Sequence, residues 1–422
     1  MTDQKNKPYL FAFILVTSLF FFWGFVHNMD PILIPHLRRA FTLNTVQASL
    51  VDFSVFIAYF LMAIPAGLII KKFGYKIAIL TGLSLFAAGC FLFVPAANTM
   101  LYEFFLAALF IVACGLAILE TTANPYAAIL GAPETSTQRL NFAQSFNGLA
   151  AFIAPIIGGK FILSQNPISD EQLGAMTETA KKTYLLSETS TVKLPYIILG
   201  IAIVLVAVLF FFIKLPDIRK GDHEASSKGI LNAMVHKHLR WAVLAQFFYV
   251  GAQVCVLSFL VLFATKAAGI TEQQASVYSG VAGFAFLVGR FAGTFLMRFI
   301  KPERLLALFS VASIILTLVT IFGSGIITLY AVVGISLFMS IMFPTIFALG
   351  IKDLGTDTES GSSLLIMSIV GGALLPLLLG YITDKTGSIQ YGYSVPLICF
   401  VVVLWFSLKG HQHEEKAVEV LV

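Results

Sequence analysis

The stretch Ile118-Leu-Glu-Thr-Thr-Ala-Asn-Pro-Tyr126 sets a carboxylate, an amide and a proline inside the fourth long apolar run of the chain. Glu120 lies about twenty residues into sequence that hydrocarbon would accept. Carrying a charged carboxylate to the centre of a bilayer costs at least ~2.5–3.5 kcal/mol on insertion scales. Such a residue faces a bundle interior or a wet cavity, where it is protonated, paired or bound to a ligand. Asn124 follows at i+4 on the same helix face, so a proton site and an amide are presented to one ligand. Pro125 interrupts the backbone ladder and frees a carbonyl, which is tolerable at this depth only beside a cavity or a packed helix. The competing reading is a protonated glutamate hydrogen-bonded across helices for packing alone. An ionisable residue inside a membrane is by default a functional one, and that makes Glu120 the anchor of the chain.

The composition fits that setting. Of 422 residues, 58% are hydrophobic and only 12% charged, and mean hydropathy is +0.89. A soluble chain of this length could not bury so much apolar surface, whereas a polytopic membrane protein has no need to. The formal net charge of +5 could suggest nucleic acid, but its placement argues otherwise. With both termini inside, about 18 of the 27 Lys and Arg fall in cytoplasmic segments, about eight outside and one, Arg290, within the membrane, as the positive-inside rule requires. Cys90, Cys114, Cys255 and Cys399 lie far apart inside apolar runs, with no CxxC or Cys/His spacing; they read as small packing residues, and no metal or cofactor is expected. The first apolar run is too long for a secretory signal and lacks a small-residue cleavage site.

Twelve apolar runs of spanning length can be counted, at about 9–35, 45–70, 77–98, 100–130, 140–164, 194–214, 241–266, 272–300, 304–323, 326–351, 361–383 and 391–409. Two connections are long: a polar loop at 165–193, and a charged segment at 215–240 with helix-like spacing after Ile230. The second reads as the cytoplasmic linker joining two six-helix halves, 1–214 and 241–422. The halves repeat weakly, a mark of transporter duplication. Pro155 and Gly159 in the fifth run match Pro376 and Gly380 in the eleventh. Pro125 in the fourth matches Pro344 in the tenth, which follows Ser336 and Ser340. The glycine-closed basic turn GLIIKKFGYK (Gly67 to Lys76) matches GTFLMRFIKPER (Gly293 to Arg304).

Several further groups could carry chemistry. FFFWGFVHNMDPILIPHL (Phe20 to Leu37) holds a polar knot of His27, Asn28 and Asp30 before Pro31. Asp30 can take and release a proton there, or the knot can cap a helix end. Asp52 lies nearer an outer end and reads as interfacial or as a second acidic candidate. NFAQSFNG (Asn141 to Gly148) puts Gln144 and Asn147 three apart on one side, where planar amides can satisfy neighbouring sugar hydroxyls or join helices. In the seventh run Gln246, Tyr249 and Gln253 form a stripe at i, i+3 and i+7, amides beside an aromatic ring that could cover a sugar's C–H face or simply pack. In the tenth, Ser340, Phe343 and Phe347 share a face and Pro344 breaks the ladder. Arg290 reads as structural, paired with backbone carbonyls or an acid. No triad, phosphate loop or metal cluster is spaced along the chain, which argues against an enzyme.

The turn at 67–76 and the basic linker resemble the major facilitator superfamily, although Lys71 stands where its members usually carry an aspartate. The chain also resembles, over nearly its whole length, the narrower fucose permease family of sugar:proton symporters. The likeness is densest in LETTANPY, RLNFAQSFNG, RWAVLAQFFYVGAQ, VGRFAGT, FMSIMFPTIFALGIKDLG and SIVGGALLPLLLGYITD. That resemblance implies an outward-open cavity between two halves and an L-fucose-like monosaccharide at the midplane. It gives Glu120 the family's fourth-helix carboxylate, Gln144 and Asn147 its fifth-helix amides, and Asn28 its first-helix asparagine. Two departures stand out. Pro31 occupies the place of the first-helix aspartate, with Asp30 one residue earlier, a rotation of about 100° on a helix. Phe343 replaces the tenth-helix tyrosine, and Val256 and Leu257 stand where a tryptophan is expected.

The reading is therefore an all-α membrane protein with twelve transmembrane helices in two pseudo-symmetric six-helix bundles. Its expected role is secondary active import of a hexose or deoxyhexose by proton symport. Glu120 and Asp30 would handle the proton; Asn28, Asn124, Gln144, Asn147, Gln246, Tyr249, Gln253 and Phe343 would meet the sugar. The alternatives are a sodium-coupled glucose, galactose or N-acetylhexosamine carrier and, from another class, a drug:proton antiporter, which the amide-rich positions disfavour. The expected setting is the cell inner membrane, multi-pass, as a monomer, with no nucleic-acid partner.

Overall fold

The computed structural model describes residues 7–29, 33, 36–37, 40–41, 43, 45–162, 175–216 and 230–412. Among them are 12 helical segments long and apolar enough to cross a membrane. Hydrocarbon leaves the backbone no partner but itself, so each apolar run closes its own hydrogen bonds as a helix. The chain divides into two compact units: Met1–Gly131 with Ala143–Arg219, and Ala132–Phe142 with Lys220–Val422.

Unit 1 is built from α1 (Lys7–His27), α2 (Thr45–Phe73), α3 (Tyr75–Thr99), α4 (Tyr102–Ile129), most of α5 (Ser136–Phe161), α6 (Glu178–Ser190) and α7 (Lys193–Phe212). Gly74 turns α2 into α3 at φ 84°, a conformation glycine adopts without a Cβ clash. α4 is the central helix: every residue from Val112 to Ala128 is buried, so it has no lipid-facing stripe there. Its approach to α3 depends on Gly115. A Cβ at that position would lie 2.5 Å from the Phe86 nitrogen and 2.6 Å from the Gly82 carbonyl oxygen. Pro125 costs one rung but does not end α4, which continues to Ile129. Lys76, at the start of α3, donates to the Phe211 and Ile213 carbonyls at 2.7 and 2.8 Å, closing the end of α7. The Tyr126 hydroxyl donates to the Pro216 carbonyl at 2.8 Å, and its ring stacks on Tyr75.

One boundary needs correction. The stretch 165–193 is not wholly a loop, because α6 occupies Glu178–Ser190. Thr177 caps it by accepting from the Ala180 nitrogen, and Glu178 sits in its first turn where an acid suits the dipole. The helix is polar, so an apolar run could not announce it. Residues 165–174 of that stretch lie outside the described residues.

Unit 2 holds α8 (Lys237–Ser258), α9 (Leu260–Ala267), α10 (Glu272–Leu296), α11 (Pro302–Phe322), α12 (Ile326–Met339), α13 (Met342–Ile351), α14 (Thr358–Met367), α15 (Gly371–Thr386), α16 (Ile389–Gly392) and α17 (Ser394–Trp405). The tenth span is α12 and α13, broken at Ser340–Ile341. Every residue of α13 is buried, as the middle of α4 is in unit 1. α8 begins four residues before the expected 241, after a 3₁₀ stretch at Ile230–Val235. His236 Nε2 lies 3.1 Å from Asp357 Oδ2, and His238 Nε2 lies 3.0 Å from the Lys352 carbonyl.

Candidate functional site

α4 positions Glu120, which is 3% exposed. Tyr59 from α2 and Asn124 one turn along α4 are the polar neighbours of its carboxyl. No described Lys, Arg or His forms an ion pair with it. A carboxyl enclosed this way, without a cation, is stable only when hydrogen-bonded and protonated or bound to something that completes it. Asn124 is held on two sides. Its Nδ2 donates to the Glu120 backbone carbonyl at 3.0 Å, and its Oδ1 accepts from Gln144 Nε2 at 2.9 Å. Gln144 is 2% exposed. The i+4 spacing inferred from sequence thus becomes a hydrogen-bonded chain running from Gln144 on α5 through Asn124 to the Glu120 backbone, beside the carboxyl on α4.

Asn147 lies one turn further along α5 and packs on α1. A Cβ at Gly24 would meet the Asn147 Cγ and Nδ2 at 2.8 Å, so this glycine makes room for the amide. Asn28 is half-buried beyond the last turn of α1, and its Nδ2 donates to the Gly24 carbonyl at 2.6 Å. That bond closes the helix end, the capping role weighed from the sequence. Asp30 lies outside the described residues. Asp52 is exposed near the start of α2.

In unit 2, Gln246 is fully buried on α8, and neither its Nε2 nor its Oε1 has a partner among the described residues. Leaving one such group unmet costs about 1–3 kcal/mol, so an orphaned amide marks a place for a ligand or water. Tyr249 lies on the same stripe of α8, with Phe343 of α13 at a ring separation of 6.4 Å. Its hydroxyl is engaged by backbone, donating to the Met339 carbonyl at 3.0 Å; the ring is what remains for a ligand. Gln253 is half-buried. Phe343 is 8% exposed and stacks on Phe347 at 6.3 Å. Arg290 is buried, with Nε donating to the Ser340 carbonyl at 2.8 Å, the carbonyl role read from sequence.

Two participants went unnoticed in the sequence. Tyr59 sits in an apolar run, where a tyrosine gives no periodic signal. Asn141 opens the same NFAQSFNG stretch as Gln144, at i−3, a spacing that could have revealed it. It is fully buried and donates to Thr345 Oγ1 at 3.2 Å, within the segment Ala132–Phe142 that belongs to unit 2. Nearby, Gln138 Nε2 donates to the Thr294 carbonyl at 3.3 Å.

The sequence profile described as Major Facilitator Superfamily matches residues 11–358. The L-fucose-proton symporter of Escherichia coli is 40% identical over 410 residues, covering 96% of this chain and 94% of that protein. A glucose/galactose transporter of Brucella abortus is 39% identical over 411 residues, covering 97% of this chain and 96% of that protein. A crystal structure of the E. coli fucose:proton symporter superposes with a TM-score of 0.88 at 38% identity, covering 96% of this chain and all of that one. The twelve apolar helices, the enclosed carboxyl and these alignments agree: this chain is a multi-pass membrane protein belonging to the major facilitator superfamily of transporters, and not an enzyme.

Proposed function

We propose that this chain imports a monosaccharide, a hexose or an L-fucose-like deoxyhexose, by proton symport through alternating access. The observation that carries the reading is the enclosed carboxyl of Glu120 beside the hydrogen-bonded amides of Asn124 on α4 and Gln144 on α5. Glu120 is the proton-carrying group, and Asp30 is the second candidate for that role. Asn124, Gln144 and Asn147 supply the paired donors and acceptors that vicinal hydroxyls need, with Asn28 beside them on α1. In unit 2 the candidates are the amides of Gln246 and Gln253 and the rings of Tyr249 and Phe343. The relatives bearing this likeness are named for L-fucose and for glucose and galactose, which supports a six-carbon sugar and leaves its identity to experiment. The protein works as a monomer in the cell inner membrane, both termini cytoplasmic.

The test is counterflow in proteoliposomes, screening labelled L-fucose, D-glucose, D-galactose and N-acetylglucosamine, with a pH gradient, a sodium gradient or neither. Exchange of at least one sugar, with accumulation driven by the pH gradient alone, is the expected result. Accumulation that follows sodium instead would replace the proton by sodium. No exchange of any of the four would overturn the sugar reading.

A further inference from the structure

The break in the tenth span has a chemical cause. Pro344 has no N–H, so the carbonyl four residues earlier, Ser340, loses the donor that a helix would supply. Beyond the break, the Thr345 nitrogen donates to the Ile341 carbonyl at 3.1 Å. Two side chains from neighbouring helices fill the gap. Arg290 of α10 donates from Nε to the Ser340 carbonyl at 2.8 Å. Tyr249 of α8 donates its hydroxyl hydrogen to the Met339 carbonyl at 3.0 Å. The Met339 carbonyl thus meets a phenol, and the Ser340 carbonyl, one residue on, meets a guanidinium.

α10 is shaped to reach this point. Gly289 and Gly293, four residues apart, flank Arg290 on the contacting face. A Cβ at Gly289 would strike the Leu337 carbonyl oxygen and lie 2.7 Å from Ser340 Oγ, and one at Gly293 would strike Ile341. The Arg290 guanidinium sits 4.5 Å over the Phe286 ring, which fixes the arm from the previous turn. Its charge also meets the C-terminal end of α12, where unpaired carbonyls concentrate negative potential.

We propose that Arg290 is a positioning residue: with Tyr249 it splints the broken tenth span and so fixes Phe343 for the sugar. Only the placing of Phe343 rests on the transport reading; the side-chain bonds to the Met339 and Ser340 carbonyls stand without it. The sequence requirement is specific, since Pro344 creates the vacancy that Arg290 fills.

A double-mutant cycle separates the splint from its effect on the sugar. Pro344→Ala restores the missing N–H, so it should make Arg290 dispensable. Arg290→Met, Pro344→Ala and the double variant are compared in purified full-length protein by thermal unfolding in detergent and by KM and maximal rate of sugar counterflow. Arg290→Met alone should lower the unfolding temperature and raise KM about 5- to 150-fold, the range expected for an unmet buried carbonyl, with the maximal rate changed less than KM. In the Pro344→Ala background the same substitution should have little effect on either quantity. An equal loss in both backgrounds overturns the splint. If Arg290→Met alone does not fold, a folded double variant supports the splint and an unfolded one overturns it. Rescue of unfolding temperature without rescue of KM keeps the splint and overturns its role in placing Phe343. A folded wild-type protein that exchanges no sugar would count against the transport reading alone.

Discussion

Gly115→Ala offers a direct test of how packing places the carboxyl. A methyl at residue 115 would sit 2.5 Å from the Phe86 nitrogen, 2.6 Å from the Gly82 carbonyl oxygen and 2.9 Å from the Phe86 Cα. All three are backbone atoms, so no rotamer change relieves the overlap. Ordinary contact needs about 3.5 Å, so α3 and α4 must part by about 1 Å at this level. Overpacking of this kind costs about 1–3 kcal/mol. Glu120 and Asn124 lie five and nine residues further along the same helix, roughly 8 and 14 Å along its axis. A 1 Å displacement exceeds the useful range of a hydrogen bond, about 2.7–3.2 Å. The 2.9 Å bond between Gln144 and Asn124 is therefore at risk, and leaving either amide unmet costs another ~1–3 kcal/mol. The expected outcome is a lower unfolding temperature and a sugar affinity weakened by about 5- to 150-fold, read by thermal unfolding and by calorimetric titration of the purified protein. Wild-type unfolding and wild-type affinity in Gly115→Ala would refute the reasoning, because the contact could then be absorbed without moving α4.

Two further outcomes rest on the same geometry. Gln246→Met removes two buried polar atoms that no described residue satisfies; the sugar-free protein should gain about 1–3 kcal/mol in stability while sugar affinity falls, and a loss of stability would show that the amide serves the fold. For orientation, the native cysteines are buried, so single cysteines introduced at Pro302 and Thr177 can be read cleanly with an impermeant thiol reagent. Pro302→Cys should react only from the cytoplasmic side and Thr177→Cys only from outside; the reverse pattern would invert the topology.

The spanning helices were legible because hydropathy alone decides where a backbone can enter hydrocarbon, and the i+4 pair of Glu120 and Asn124 was legible because helix spacing is fixed. Other features depended on information outside any one run. α6 was missed because a polar helix has no apolar stretch to mark it. Tyr59 reaches Glu120 from α2, and one sequence carries no trace of that pairing. Pro344 announces a break and a freed carbonyl, yet only the fold shows that Arg290, 54 positions earlier, supplies the donor. The spacing of Tyr249 offers its ring to a sugar's C–H face, and only the fold shows that its hydroxyl is committed to the Met339 carbonyl. Asn28 likewise spends an amide hydrogen on the end of α1. Polar residues at helical spacing identify a face; what each polar atom does there is set by the neighbouring helix.

The most direct test of the central claim is pH-driven uptake by Glu120→Gln in proteoliposomes, measured beside counterflow of the same sugar. Glutamine keeps the shape and hydrogen bonding of a protonated carboxyl and carries no exchangeable acid. A group that takes a proton with the sugar and yields it to the less acidic side should then be fixed in its loaded form. The account predicts that Glu120→Gln still exchanges sugar in counterflow but fails to concentrate it against a gradient when a pH difference is imposed. Accumulation by Glu120→Gln at the wild-type level would contradict the account, removing Glu120 from proton coupling.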